Sequence, residues 1–170
     1  MKKFNTIILP PDTHQFTIKD RLYDENYLFN QIVDFFFKIK KPNENILIKY
    51  REKGHKNKFP NNLVETAEKG RLLDYCDKNC NIIGPVNSAT IECLQFGLKY
   101  FCYRYDPGLH KNLSHVYTLD NILHVANDLN QIKENFEKKK IFKDNYSISD
   151  LTHKDGKNLD KIVEEILNKI

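Results

Sequence analysis

The 170-residue sequence has no run of about 18 apolar residues, so no segment of it reads as a membrane span. The Gly-x-Gly-x-x-Gly fingerprint is missing, which argues against a dehydrogenase of the dinucleotide-binding kind. Gly-x-x-x-x-Gly-Lys-Ser/Thr is missing too, so the chain is not a P-loop NTPase. Cysteines number four, too few for a disulfide scaffold in a chain of this length. Cys76 and Cys80 are separated by three residues, with no second cysteine pair and no clustered histidines beside them, so no zinc site is expected. Cys93 and Cys102 read as small hydrophobes in the core. There is no internal repeat and no low-complexity tract. A strong charge imbalance is also lacking: 27 basic against 23 acidic residues leave a net +4. That balance suits an anionic ligand or peripheral contact with an acidic membrane, but dictates neither. The opening residues carry two lysines and a short apolar run soon broken by Pro10 and Pro11. They read as a first strand rather than a signal peptide, and a reducing cytoplasm is the expected compartment.

What is present centres on Asn81 to Tyr103. Ile82 and Ile83 are a short β-branched run, as in a buried strand. Gly84 and Pro85 end it. Asn87 and Ser88 are both good helix N-caps, Ala89 to Phe96 make about two helical turns, and Gly97 sits where a left-handed C-cap belongs. Leu98 to Tyr103 is a second, aromatic-rich strand. Such strand–loop–helix–strand units build parallel sheets, with ligands at the strand-to-helix loop. The first amides of a helix lack intrahelical partners and carry partial positive charge, so this loop favours an anion. Gly84 permits close backbone approach, and Ser88 and Thr90 offer hydroxyls. Glu92 lies about 6 Å further along the axis, at about 1.5 Å rise per residue, where a carboxylate can accept from the vicinal hydroxyls of a ribose. Two readings of these residues stand: a nucleotide site, or a plain capped helix with Glu92 complementing the helix dipole.

The run Gly84-Pro85-Val86-Asn87-Ser88-Ala89-Thr90-Ile91-Glu92-Cys93-Leu94-Gln95-Phe96-Gly97 resembles the donor-binding signature of GT-B-type glycosyltransferases. It is most similar to that of bacterial surface-polysaccharide and capsule enzymes. The resemblance covers roughly residues 5 to 130 at the level of pattern. It implies that Asn87, Ser88 and Ala89 form the phosphate-binding turn and that Glu92 holds the ribose. Asn87 departs from the commoner Ser or Thr, and Cys93 from the small Ala that usually follows the Glu. The resemblance also implies a nucleotide-sugar donor, a carbohydrate or lipid-linked acceptor, no metal and no separate cofactor. GT-B enzymes have two Rossmann-like domains, and acceptor and catalytic base usually come from the other one. A separate domain or chain would then complete turnover, and no catalytic base is assigned here.

Elsewhere, Thr6 to Leu9 predicts a strand, followed by a Pro10–Thr13 loop and an irregular His14–Arg21. Leu28, Phe29, Ile32, Val33, Phe35, Phe36 and Ile39 recur at three- and four-residue steps, which predicts a helix from Glu25 to about Lys40 buried against a sheet. Asn45 to Tyr50 predicts a second strand. Lys49 and Arg51 lie at its carboxyl end, placed for a diphosphate, although a solvated basic loop reads equally well. Arg51 stands where the resembled family has a His, and a role for His55 is doubtful. One basic loop is not a nucleic-acid-binding stripe, so no nucleic-acid partner is expected. Phe59 to Asn79 contains a helical stretch, broken at Gly70, and the resemblance implies a short strand and helix in this place. Tyr103 or Arg104 could face a ligand, while His110 and His115 read as surface or capping residues. Val116 to Leu119 predicts a last strand, Asp120 caps a helix over Asn121 to Lys140, and residues 142–157 read as a polar linker. Residues 159–170 read as an amphipathic helix.

This alternation predicts an α/β fold: an open, mostly parallel, Rossmann-like sheet with helices on both faces, equivalent to one half of a GT-B fold. Residues 1–140 would be the nucleotide-sugar-binding domain, and 141–170 a linker with a C-terminal helix. The expected donor-phosphate residues are Gly84, Asn87, Ser88, Ala89, Thr90, Lys49 and Arg51, with Glu92 for the ribose. The alternatives are a non-catalytic binding domain with a degenerate nucleotide site, or half of a sugar-nucleotide epimerase or polyol-phosphate transferase.

Overall fold

The structure is a computed structural model that describes residues 2–11, 15–18, 21–24, 26–50, 65–67, 69–104 and 118–148. In chain order these form β1 (Phe4–Ile8), β2 (Gln15–Ile18), β3 (Arg21–Asp24), α1 (Asn26–Ile39), β4 (Ile46–Lys49), β5 (Glu65–Ala67) and α2 (Leu72–Tyr75). Then come β6 (Cys76–Pro85), α3 (Ser88–Gln95), β7 (Lys99–Tyr103), α4 (Thr118–Ile122), β8 (Val125–Ala126) and α5 (Leu129–Glu137).

Six strands make one sheet in the order β5-β4-β1-β6-β7-β8, and every neighbouring pair is parallel. The chain starts in the middle at β1, steps outward through β4 and β5, then crosses to the other side of β1 for β6, β7 and β8. That reversal between β1 and β6 is the topological switch point of a doubly wound, Rossmann-like sheet. β2 and β3 pair antiparallel as a separate two-stranded sheet.

The period of two along each strand sorts the core into two layers. Ile8, Ile46, Ile48, Ile83, Phe101 and Tyr103 bury on one face with Leu28, Phe29, Ile32, Val33 and Phe36 of α1 and Ile132 of α5. Phe4, Ile7, Leu9, Leu47, Ile82, Tyr100 and Cys102 bury on the other with Cys93 and Leu94 of α3. Leu72 and Tyr75 of α2 and Leu119 and Ile122 of α4 pack against that second layer. Helices therefore cover both faces. Strands buried on both sides read as continuous apolar runs, as Ile46-Leu47-Ile48 and Ile82-Ile83 do.

Several expectations are corrected. Within the segment expected to be irregular, β2 and β3 pair in register from Gln15–Asp24 to Ile18–Arg21. Over Phe59–Asn79 the expected helical stretch is only the single turn α2; the described residues there also hold the strand β5 and the start of β6, a short strand and helix as the resembled family has in this place. Part of the expected Val116–Leu119 strand falls outside the described residues, but Thr118 and Leu119 belong to α4. Among the described residues the last strand is β8 instead. It splits the long helix expected over 121–140 because His124 donates its amide to Ile141 O at 2.9 Å and Arg104 donates to Ala126 O at 2.8 Å. α5 then restarts under its own cap: Asp128 Oδ1 accepts from the Gln131 amide at 2.9 Å. Ile141, Phe142 and Ile148, in the expected linker region, pack against the second core layer. The expected helix at 159–170 lies outside the described residues.

Candidate functional site

A cleft of about 400 Å³ opens at the carboxyl ends of the central strands. Leu9 and Pro10 follow β1, Lys49 and Tyr50 end and follow β4, Leu72 begins α2, and Asn87, Ser88 and Ala89 form the turn into α3. This is the crevice where doubly wound sheets hold ligands, beside the switch point between β1 and β6. Its size falls within the range of small-molecule sites.

Each wall has a local cause. The Leu9 amide donates to Ile83 O at 2.8 Å and the Tyr50 amide to Ala67 O at 2.8 Å, which carries the parallel ladders one residue past β1 and β4. Tyr103 is 1% exposed, and its hydroxyl donates to Leu9 O at 2.6 Å. It therefore ties the cleft floor to β7 rather than facing a ligand. Lys49 is 8% exposed. Its ammonium donates to Tyr50 O at 2.8 Å and lies 5.9 Å from the Tyr75 ring centroid. An aromatic face attracts a cation, and in such a poorly screened place the field of an ammonium acts strongly on a nearby anion.

The turn before α3 is a reciprocal cap. Asn87 Oδ1 accepts from the Ala89 amide at 3.0 Å, the Thr90 amide donates to Asn87 O at 3.0 Å, and the Asn87 amide donates to Thr90 Oγ1 at 3.1 Å. The Asn87 side chain and carbonyl thus occupy the Ala89 and Thr90 amides, which a phosphate would otherwise take. Ser88 is the exposed lining residue of the turn, and its amide precedes those that Asn87 caps. Thr90 is fully buried and its hydroxyl also reaches Pro85 O at 3.4 Å, so it is committed within the fold.

Of the residues expected from sequence, the cleft brings together Lys49, Asn87, Ser88 and Ala89. Gly84 is buried behind it. A Cβ there would lie 2.9 Å from Tyr100 Cζ and 3.1 Å from Leu9 Cδ1, so glycine is needed to admit Tyr100, whose hydroxyl donates to Pro85 O at 2.8 Å. Glu92 is exposed on α3 and does not line the cleft. Arg51 lies outside the described residues, as do His55, His110 and His115. Arg104 is half-buried just past β7. Sequence reasoning missed Leu9, Pro10, Tyr50 and Leu72 as lining residues. The first three sit at carboxyl strand ends, where ligands gather in this architecture, so the strand predictions already pointed to them. Leu72 was expected only as an apolar member of a helical stretch, and nothing in its spacing placed it at the cleft. Among the described residues, no group of three or more His, Cys, Asp and Glu could hold a metal ion. No helix among them is long and apolar enough to cross a membrane.

Compared with protein-family models, with curated proteins and with solved structures, the chain matches none.

Proposed function

We propose that this chain is a nucleotide-sugar-binding domain of a glycosyltransferase acting in surface polysaccharide biosynthesis in the cytoplasm. A second domain or chain would supply the acceptor site. The observation that carries the reading is the coincidence of three things at one place: the switch point of the sheet, the cleft, and a buried lysine opposite the start of a capped helix. Diphosphate oxygens would sit between Lys49 and Ser88, where the ammonium, the first helix amides and the dipole all favour negative charge. Leaving-group charge would be stabilised electrostatically there, without a metal. The apolar Leu9, Pro10 and Leu72 would cover the nucleoside. Glu92 would hold the ribose only if the ribose runs out of the cleft along α3.

A second reading is favoured by the Asn87 cap and by the placement of Glu92. A turn whose amides are already occupied, with its acid turned away from the cleft, fits a non-catalytic binding domain with a degenerate site. Half of a sugar-nucleotide epimerase or polyol-phosphate transferase would share the fold. A thermal-shift titration with UDP, GDP, CDP, CMP and ADP separates a working nucleotide site from a degenerate one, and product analysis with a partner domain separates the enzyme classes. At about a hundred times the dissociation constant, a bound nucleotide adds about 2.7 kcal/mol of stability. A shift with one nucleoside diphosphate, abolished by Ser88→Glu, supports the transferase reading. An acidic residue in the first helical turn is itself favourable by about 0.3–1 kcal/mol, so that variant should fold and still repel phosphate. No shift with any of the five favours the degenerate-site reading.

A further inference from the structure

Cys76 and Cys80 both lie on β6, ahead of the sheet's central hydrogen-bonded register. Residues four apart in a regular strand are separated by about 13 Å, at about 3.3 Å per residue, and their side chains do not meet. Here the strand is not regular. Between the pairs Phe4–Cys76 and Thr6–Asn81, β1 advances two residues while β6 advances five. Three extra residues are therefore folded out of the ladder. The bulge sets both cysteines in the same core layer, where their thiols interact with each other; the Cys80 thiol donates to Asn81 O at 3.6 Å. The Cys76 thiol donates to Leu72 O at 3.4 Å. Cys76 is partly exposed and Cys80 is buried. Lys3, whose ammonium is anchored on Asp74 O at 2.9 Å, adds positive charge near Cys76.

We propose that Cys76 and Cys80 form a dithiol site that exchanges with small-molecule disulfides of the glutathione class, Cys76 being the entry thiol and Cys80 the resolving thiol. The Cys76 thiolate attacks one sulfur of the incoming disulfide. A Cys76 mixed disulfide forms, the incoming S–S bond breaks, and the departing thiolate takes up the proton that Cys76 released. Cys80 then loses its proton and attacks Cys76 Sγ, expelling the second small thiolate, which is protonated in turn. Net, two protein thiols are oxidised to one disulfide, and one small disulfide is reduced to two thiols.

The environments divide the roles as this sequence requires. Hydrogen bonding from Cys80, with help from Lys3, holds the Cys76 thiol below its ordinary 9.0 despite partial burial. The hydrogen bond to Cys76 and burial push Cys80 far up, so it stays a protonated donor until the mixed disulfide forms. Cys93, pushed up to about 12 chiefly by burial, is inert by the same logic. A metal would need further ligands, and among the described residues no such group surrounds the pair. The thiols lie at the start of β6 and the cleft turn follows its end; Leu72 borders both, lining the cleft and accepting from Cys76, but neither proposal rests on the other.

The test equilibrates the native chain with glutathione buffers from reducing to oxidising, followed by acid quench, alkylation and peptide mapping. The expected product loses two hydrogens, contains one Cys76–Cys80 cross-link and is restored by dithiothreitol. Cys80→Ser should instead retain glutathione at Cys76, while Cys76→Ser should leave Cys80 unmodified. Four alkylated cysteines at the oxidising limit, or a cross-link between any other pair, overturns the proposal. Because the wild-type map is decisive by itself, poor folding of either variant does not blunt the test.

Discussion

The two faces of the sheet are covered by different means. One is packed by two amphipathic helices, α1 and α5, around large side chains. Phe136 stands with its ring centroid 4.7 Å from Phe36 and 5.1 Å from Phe101, in the tilted and edge-on arrangements that aromatic pairs prefer. The other face is covered by short pieces, α2, α3 and α4, and its layer mixes Ile7 and Ile82 with Cys80, Cys93, Cys102 and Tyr100. Short helices end often, and each end leaves polar backbone at the surface. Both the cleft turn and the dithiol bulge belong to this second face. Packing is concentrated on one side of the sheet and candidate chemistry on the other.

The largest expected effect tests the packed side. Phe36→Ala should cost about 3–5 kcal/mol in urea unfolding and leave nucleotide binding unchanged, because Phe36 does not line the cleft, which meets that layer through Tyr50 and the Tyr103 bond to Leu9. If Phe36→Ala removes binding while the fold persists, the division between the faces fails. Next, Gly84→Ala forces a methyl against the Tyr100 ring. It should cost about 1–3 kcal/mol as an overpacked site; a neutral result would mean that Tyr100 can swing away. Asn87→Ala removes the cap of α3 and should cost about 0.5–2 kcal/mol. The same change frees the Ala89 amide, so phosphate affinity should hold or rise while stability falls, and a parallel loss of both would show Asn87 touching the ligand.

The smallest effect is one of pH. Burial first, then Lys140 and Lys143, hold His124 below its ordinary 6.5. The unfolded chain then takes up this proton at a higher pH than the folded chain does. Stability from this group is full above about 6.5, falls as the pH drops from there towards the lower folded value, and levels off below it. His124→Gln should flatten that part of the stability profile relative to wild type. An unchanged profile would remove His124 from the account.

The same contrast decides what was legible in the sequence. α1 was readable over nearly its whole length because seven apolar residues recur at helical spacing, and the structure ends it one residue short at Ile39. The central unit was readable as well: α3 begins at Ser88 under an Asn87 cap, and Gly97 has φ +73°, as its place after the helix required. The second face hid more. α2 is a single turn held by bonds within its own segment, the Arg71 amide on Asp74 Oδ2 at 3.0 Å and the Tyr75 hydroxyl on Lys69 O at 2.8 Å. β8 is two residues long and exists because β7 offers it a partner, which no local pattern encodes. For the cleft, the turn residues followed from capping chemistry. The inward place of Lys49 and the outward place of Glu92 depend on how β4 and α3 are rotated against the sheet, which residue spacing leaves open.

The most direct test of the central claim is an amide chemical-shift map of the isotopically labelled chain titrated with the nucleoside diphosphate that gives the largest thermal shift. The account predicts saturable changes concentrated at Leu9, Lys49, Tyr50, Leu72, Ser88 and Ala89, with the α1 amides still. Changes centred on α1 or α5, or none at a nucleotide concentration that stabilises the chain, would contradict the assignment of this cleft as the nucleotide site.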